Sequence, residues 1–244
     1  MMMVLENLQS TFYVITLILA ALTGVFSYLL ISKLWRNRSK IDTPVLIVFI
    51  LLSFGYACFA LAELSWYMLY GFIERLPSAS MPDLYWFVGS LALVLGYGYF
   101  SIAMYKEHGH LDRGLILLFS FGLVGGIILY YILSQGIVDS GSNQLAIFFG
   151  YYYPISSLLI LIASVSVYLF FDKLNTLGTP LLMLAMANLA TFIADSIYSY
   201  YSFKNIYGLL GVTSDLLYII SYLIYVISFY LLWKNVQGEF GIND

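Results

Sequence analysis

The chain has 244 residues, of which 62% are hydrophobic, 18% aromatic and only 9% charged, with a formal net charge of −3 and mean hydropathy +0.91. A soluble domain carries about 25% charged residues, so these charges are too few to cover a water-exposed globule. Soluble enzymes, coiled coils, disordered tails and nucleic-acid binders are excluded, since no basic run is long. The one cysteine, Cys58, sits in an apolar run and offers neither a disulfide framework nor a thiolate metal site.

Apolar runs of about 20 residues, enough to cross about 30 Å of hydrocarbon, read as transmembrane helices. Seven are predicted, at residues 11–34, 44–72, 82–105, 114–134, 148–171, 180–203 and 209–233. The expectation is an all-α, multi-pass protein of the cell membrane, with the whole chain as one transmembrane domain and no soluble domain left over. The flank before the first span carries Glu6 and neither Lys nor Arg, while Lys33, Arg36, Arg38 and Lys40 follow it. A signal peptide has the opposite polarity, so the first helix is expected to be retained with its N-terminus outside. Lys106, Arg113, Lys173 and Lys234 fall on the same predicted side as that cluster, whereas Arg75 and Lys204 fall on the other. By the positive-inside rule the C-terminus is cytoplasmic. Pro44, Pro82 and Pro180 open helices in the first turn, where proline is tolerated.

Spans 1–3 and 5–7 share an order of landmarks. Tyr28 to Leu34 closes the first span and Tyr168 to Leu174 the fifth; Thr43-Pro44 opens the second and Thr179-Pro180 the sixth. Glu63 and Trp66 lie late in span 2, as Asp195 and Tyr198 do in span 6. Asp83 and Trp86 begin span 3, as Asp215 and Tyr218 begin span 7. The acids are 20 residues apart in both halves (83 − 63 and 215 − 195). A parallel 3+1+3 repeat is expected, with repeat A at about 11–105, a linker helix at about 114–134 and repeat B at about 148–233. In the linker helix, Gly122 and Gly126 have the spacing that permits close helix approach.

Glu63 and Asp195 are carboxylates inside spans, where a charge costs about 2.5–3.5 kcal/mol and usually faces the bundle interior. Glu63 follows Pro44 by 19 residues, about 28 Å along a helix, which puts it in the outer third of the membrane with Asp195 beside it. Two readings stand for this pair: hydrogen-bonded glue between helices, with Asn188, Thr191 or Ser196 as partners, or a ligand or proton site. Asp83 follows Ser80, and Asp215 follows Thr213-Ser214, so N-terminal capping is an alternative for both. Many tyrosines, including Tyr13, Tyr67, Tyr130, Tyr131, Tyr153 and Tyr201, fall in the same outer half. Most read as an interfacial belt, although aromatic faces could also line a pocket for an apolar or cationic ligand. The expected ligand-binding set is Glu63, Asp195, Trp66, Tyr198, Asp83 and Asp215, around one outer vestibule.

Other chemistry is missing. His108 and His110 fall in one short loop, no Ser/His/Asp grouping can be assembled within the membrane, and no phosphate-binding glycine loop appears. No enzyme activity, metal or cofactor is expected. Seven helices with an outer N-terminus resemble the rhodopsin bundle, yet the span from Asp215 to Trp233 has no lysine for a Schiff base, so retinal is not expected. The 3+1+3 layout resembles the SWEET sugar transporters without their Pro-Gln signature.

Pro77-Ser-Ala-Ser-Met-Pro-Asp83-Leu-Tyr-Trp86, Ala194-Asp195-Ser-Ile-Tyr198 and Ser214-Asp215-Leu-Leu-Tyr218 resemble motifs of the seven-helix sensor regions of bacterial and archaeal GGDEF cyclases and histidine kinases. That resemblance implies a sensor or receptor. Only 11 residues follow Trp233, so signalling is expected to pass to a separate cytoplasmic partner. A small-solute or proton-coupled transporter and a structural subunit bound to other membrane subunits remain the alternatives.

Overall fold

The computed structural model describes residues 2–72, 80–108, 120, 122–131, 134, 144–170, 176–204 and 208–240. The fold is all-α: α1 (Met2–Arg36), α2 (Thr43–Phe72), α3 (Met81–His108), α4 (Gly122–Tyr131), α5 (Gln144–Phe170), α6 (Gly178–Lys204) and α7 (Leu209–Phe240). A 3-10 turn, Arg38–Lys40, joins α1 to α2. Six of these helices, all but α4, are long and apolar enough to cross a membrane. The chain is thus a multi-pass helical bundle suited to a lipid bilayer. Much of the predicted fourth span, 114–134, lies outside the described residues.

Two helices outrun their hydrophobic cores. α1 starts before its apolar run because residues 2–10 contain no Gly or Pro to stop it. α7 continues past Trp233 because Val236 is buried and Asn235 Nδ2 donates to the Thr176 carbonyl at 2.9 Å.

The six long helices close a ring: α1 packs on α2, α2 on α3, α3 on α5, α5 on α6, α6 on α7, and α7 back on α1. Paired contacts give their directions. Trp66 meets Trp86 while Leu51 and Leu52 meet Gly96, so α2 and α3 are antiparallel. Asp195 meets Tyr218 while Pro180 meets Ser228, so α6 and α7 are antiparallel too. α3 and α5 run in the same direction, because Ser90 bonds Tyr152 and Ser101 bonds Ser166. α1 and α7 are also parallel, through Phe26 with Tyr230 and Lys33 with Trp233.

Between the parallel pair α3 and α5 the chain must travel back along the bundle. α4 lies against α5 in the opposite sense, Gly122 near Ile162 and Gly125 near Leu158. Its Val124, Ile127 and Tyr130 are 56%, 60% and 77% exposed, which places α4 on the outside of the ring. The small residue that matters here is Gly125, where a Cβ would come within 2.4 Å of Leu158. Gly126 has nothing within 4 Å, so the Gly122/Gly126 pair does not form the tight contact its spacing suggests.

Each ring helix turns a stripe at alternating three- and four-residue spacing toward the axis, the spacing that keeps one helical face on its partners. On α7 the stripe is Asp215, Tyr218, Tyr222, Tyr225, Phe229, Leu232 and Val236; on α2 it is Phe49, Leu52, Tyr56, Phe59, Glu63 and Trp66. Near Lys33 these stripes are apolar and fill the axis: Leu30, Leu34, Leu52, Phe229 and Val236 are completely buried in one cluster. In lipid such packing stabilises through dispersion and close fit rather than transfer from water. α2 and α3 approach closely, and a Cβ on Gly89 would lie 2.9 Å from the Gly55 carbonyl oxygen. Ser27, Ser157, Ser164 and Thr23 fold their hydroxyls back onto carbonyls of the preceding turn.

Candidate functional site

At the opposite end of the ring from Lys33 the stripes change chemistry and leave a cavity of about 150 Å³. α2 and α6 contribute residues from late in their length; α1, α3, α5 and α7 contribute from early in theirs. All six residues singled out in the sequence line it: Glu63, Trp66, Asp83, Asp195, Tyr198 and Asp215. The Pro77–Ala79 part of the motif before Asp83 lies outside the described residues.

Three of the acids each hold a tyrosine from another helix. Tyr222 Oη on α7 donates to Glu63 Oε1 on α2 at 3.0 Å, and Tyr218 Oη on α7 donates to Asp195 Oδ1 on α6 at 2.5 Å. Tyr153 on α5 donates to Asp83 Oδ1 on α3. A hydrogen bond to a carboxylate is stronger than one between neutral groups, so these pairs stitch α2, α3, α5, α6 and α7 together around the space. They differ from the Asn188, Thr191 and Ser196 partners suggested by sequence. Trp86 stands between Trp66 (centroids 5.9 Å apart) and Tyr153 (6.0 Å), forming an aromatic wall beside the acids.

The capping readings separate. Asp83 is a cap as well as a lining residue: its Oδ2 accepts from Ser80 N at 2.8 Å and Ser80 Oγ at 2.9 Å, satisfying the start of α3. Asp215 is not in the first turn, because α7 begins at Leu209. It sits buried on the axial stripe, 9% exposed, so N-terminal capping does not account for it.

The floor of the cavity is a second polar layer. Asn188 Oδ1 accepts from Tyr225 Oη at 2.6 Å and from Tyr56 Oη at 3.3 Å; Tyr56 and Tyr97 hydroxyls are 3.1 Å apart, and Thr191 reaches Tyr225 at 3.0 Å. Asn188 is 2% exposed and lines the cavity, yet its Nδ2 has no hydrogen-bond partner among the described residues. Tyr56 and Asn188 are 132 residues apart, the separation that also relates Glu63 to Asp195 and Asp83 to Asp215. These two matched positions meet across the ring axis.

Sequence reasoning placed Tyr153 in the outer half, as belt or pocket wall, and passed over Tyr56, Tyr222 and Tyr225. The signal was available in the spacing: Tyr218, Tyr222 and Tyr225 continue the face of α7 opened by Asp215. The belt reading does fit Tyr130 and Tyr131, which point away from the ring.

Among the described residues lining the cavity there is no Lys, Arg or His. Four carboxylates therefore face a small space whose other walls are mostly aromatic and hydroxylic, with Leu93, Ile160 and Asn188 among them. Among the described residues no three His, Cys, Asp or Glu side chains converge as a metal site would require. The acids surround the space rather than meeting at a point. No family model, curated protein or solved structure matches the chain, so its function is read from this site.

Proposed function

We propose that the chain is a seven-helix membrane sensor, with the N-terminus and the cavity facing outward and the Lys33 end in the cytoplasm. A small ligand or proton binds among Glu63, Asp195, Trp66, Tyr198, Asp83 and Asp215, and helix shifts carry the signal to a separate partner. The observation that carries this reading is the contrast along the axis: an acid-lined cavity at one end, and fully buried Leu30, Leu34, Leu52 and Phe229 at the other. A packed end supports a receptor over a pore. The α7 stripe runs from the cavity into that packed end, so displacement of Tyr218 or Tyr222 has a direct mechanical route.

The ring also supports seven crossings and a repeat. Parallel α3 and α5 call for a return crossing between them, and the order α1-α2-α3-α5-α6-α7 sets α1 across from α5, α2 from α6 and α3 from α7, the pairing a 3+1+3 repeat calls for. Lys33, Arg36, Arg38 and Lys40 lie at the end away from the cavity, in accord with the positive-inside rule. The likeness to sensor regions of cyclases and kinases rests on segments whose acids and aromatic residues line the cavity.

The same pseudo-symmetric ring favours one alternative, a small-solute or proton-coupled transporter. The two are separated in proteoliposomes, using a Cys58→Ala, Lys234→Cys protein carrying an environment-sensitive dye at the end of α7. A sensor shifts the dye emission when the medium on the cavity side is acidified, without proton or solute accumulation, and loses the shift in Glu63→Gln. Accumulation abolished by Glu63→Gln would replace the sensor with the transporter, and an unchanging dye signal would remove the sensor reading.

A further inference from the structure

The cavity's chemistry is layered along the axis. Nearest the helix ends lie Asp83, Asp195 and Asp215. Next comes Glu63 with Tyr222, and below them Asn188 with Tyr225. From Tyr222 to Tyr225 is three residues, about 4.5 Å along the helix. One turn thus separates the deepest carboxylate from a buried amide N–H that has no acceptor among the described residues. The upper layer asks for positive charge: carboxylates at lipid depth, with no cationic side chain among the described lining residues. Trp66, Trp86 and Tyr153 add aromatic faces, which attract ammonium groups and bind quaternary ones as well as protonated amines. The lower layer asks for an acceptor: Asn188 Oδ1 is already filled by two tyrosine hydroxyls, leaving only its N–H donors. A space of 150 Å³ is about the size that holds a benzene-sized guest.

We infer that the cavity binds a small organic cation bearing a hydrogen-bond-accepting oxygen two or three bonds from the charged nitrogen, an amino alcohol or its quaternary analogue. The ammonium lies between Glu63 and the Trp66/Trp86 pair, and the oxygen accepts from Asn188 Nδ2. The inference rests on the cavity being the ligand site of the sensor. It excludes carboxylate-bearing guests, which would face four acids.

Full-length protein in nanodiscs tests it, with tryptophan fluorescence as the readout and three probes. Choline supplies charge and oxygen, tetramethylammonium supplies charge alone, and the neutral carbon isostere dimethylbutanol supplies oxygen alone. Choline is expected to quench saturably, with dimethylbutanol at least about tenfold weaker, the loss of one cation–π and charge contact. Glu63→Gln should weaken choline by a similar factor, and Asn188→Leu should erase the advantage of choline over tetramethylammonium. The isostere comparison needs no variant, so a misfolded mutant does not shield the inference. Dimethylbutanol binding as well as choline, or no saturable quenching by either cation, overturns it. A proton-driven dye shift at Lys234→Cys without cation binding defeats this inference and leaves the sensor standing; cation binding without a dye shift does the reverse.

Discussion

Along α7 one spacing carries two chemistries. Asp215, Tyr218, Tyr222 and Tyr225 face the axis at one end; Phe229, Leu232 and Val236 face it at the other. At the apolar end, side chains have no directional demands, so they close on each other until no space remains. At the other end every carboxylate and hydroxyl needs a partner at hydrogen-bond distance. Those fixed distances, with rigid indole and phenol rings, hold the walls apart. The cavity is therefore a product of polar geometry and not of missing volume, and the two ends should answer mutation differently.

The largest expected effect is at the packed end. Phe229→Ala empties a fully buried site and should cost about 2–3 kcal/mol, less than in a water-soluble core because part of the transfer contribution is absent in lipid. The readout is thermal unfolding in detergent, followed by reaction of Cys58, which is buried until the bundle opens. Next is Gly89→Ala, whose new Cβ meets the Gly55 carbonyl at 2.9 Å and the Phe59 ring at 2.7 Å. Overpacking there should cost about 1–3 kcal/mol, in the same assay. Tyr225→Phe sits at the boundary: it removes one of the two donors to Asn188 Oδ1 and should cost about 1 kcal/mol.

Asp195→Asn keeps an acceptor for Tyr218 while removing an acid from the cavity wall. Its unfolding temperature should be unchanged or higher, even as cation quenching falls. A clear destabilisation by Asp195→Asn, matching that of Phe229→Ala, would erase the distinction between the ends and make the acids structural.

How much of this was legible depended on which physics decided each feature. Six long spans and their order followed from hydropathy alone, since length and apolarity are what a bilayer selects. The four acids stood out because charges are scarce, and the ring does gather them on one cavity. Their partners were not legible: a tyrosine at a bilayer interface and one reaching inward have the same composition, and only helical phase separates Tyr131 from Tyr153. Asp215 was read as a lining residue with capping as the alternative, and capping does not hold because α7 already begins at Leu209, as the hydropathy had placed it. Gly122 and Gly126 match a motif, but helix rotation gave the contact to Gly125. Pro154 inside α5 removes a backbone donor one residue after Tyr153, a break that hydropathy does not register.

The parallel contact between α1 and α7 bears on how the chain is made. Lys33 Nζ donates to the Trp233 carbonyl at 3.4 Å and lies over its ring at 5.3 Å, across 200 residues of sequence. The ring is thus closed by α1 and α7, two helices far apart in the sequence. Until α7 arrives, α1 and α6 each lack a neighbour, and Glu63 and Asp195 lack the tyrosines that hold them. Closing the ring thus depends on contacts 200 residues apart in sequence, and such non-local contacts slow folding.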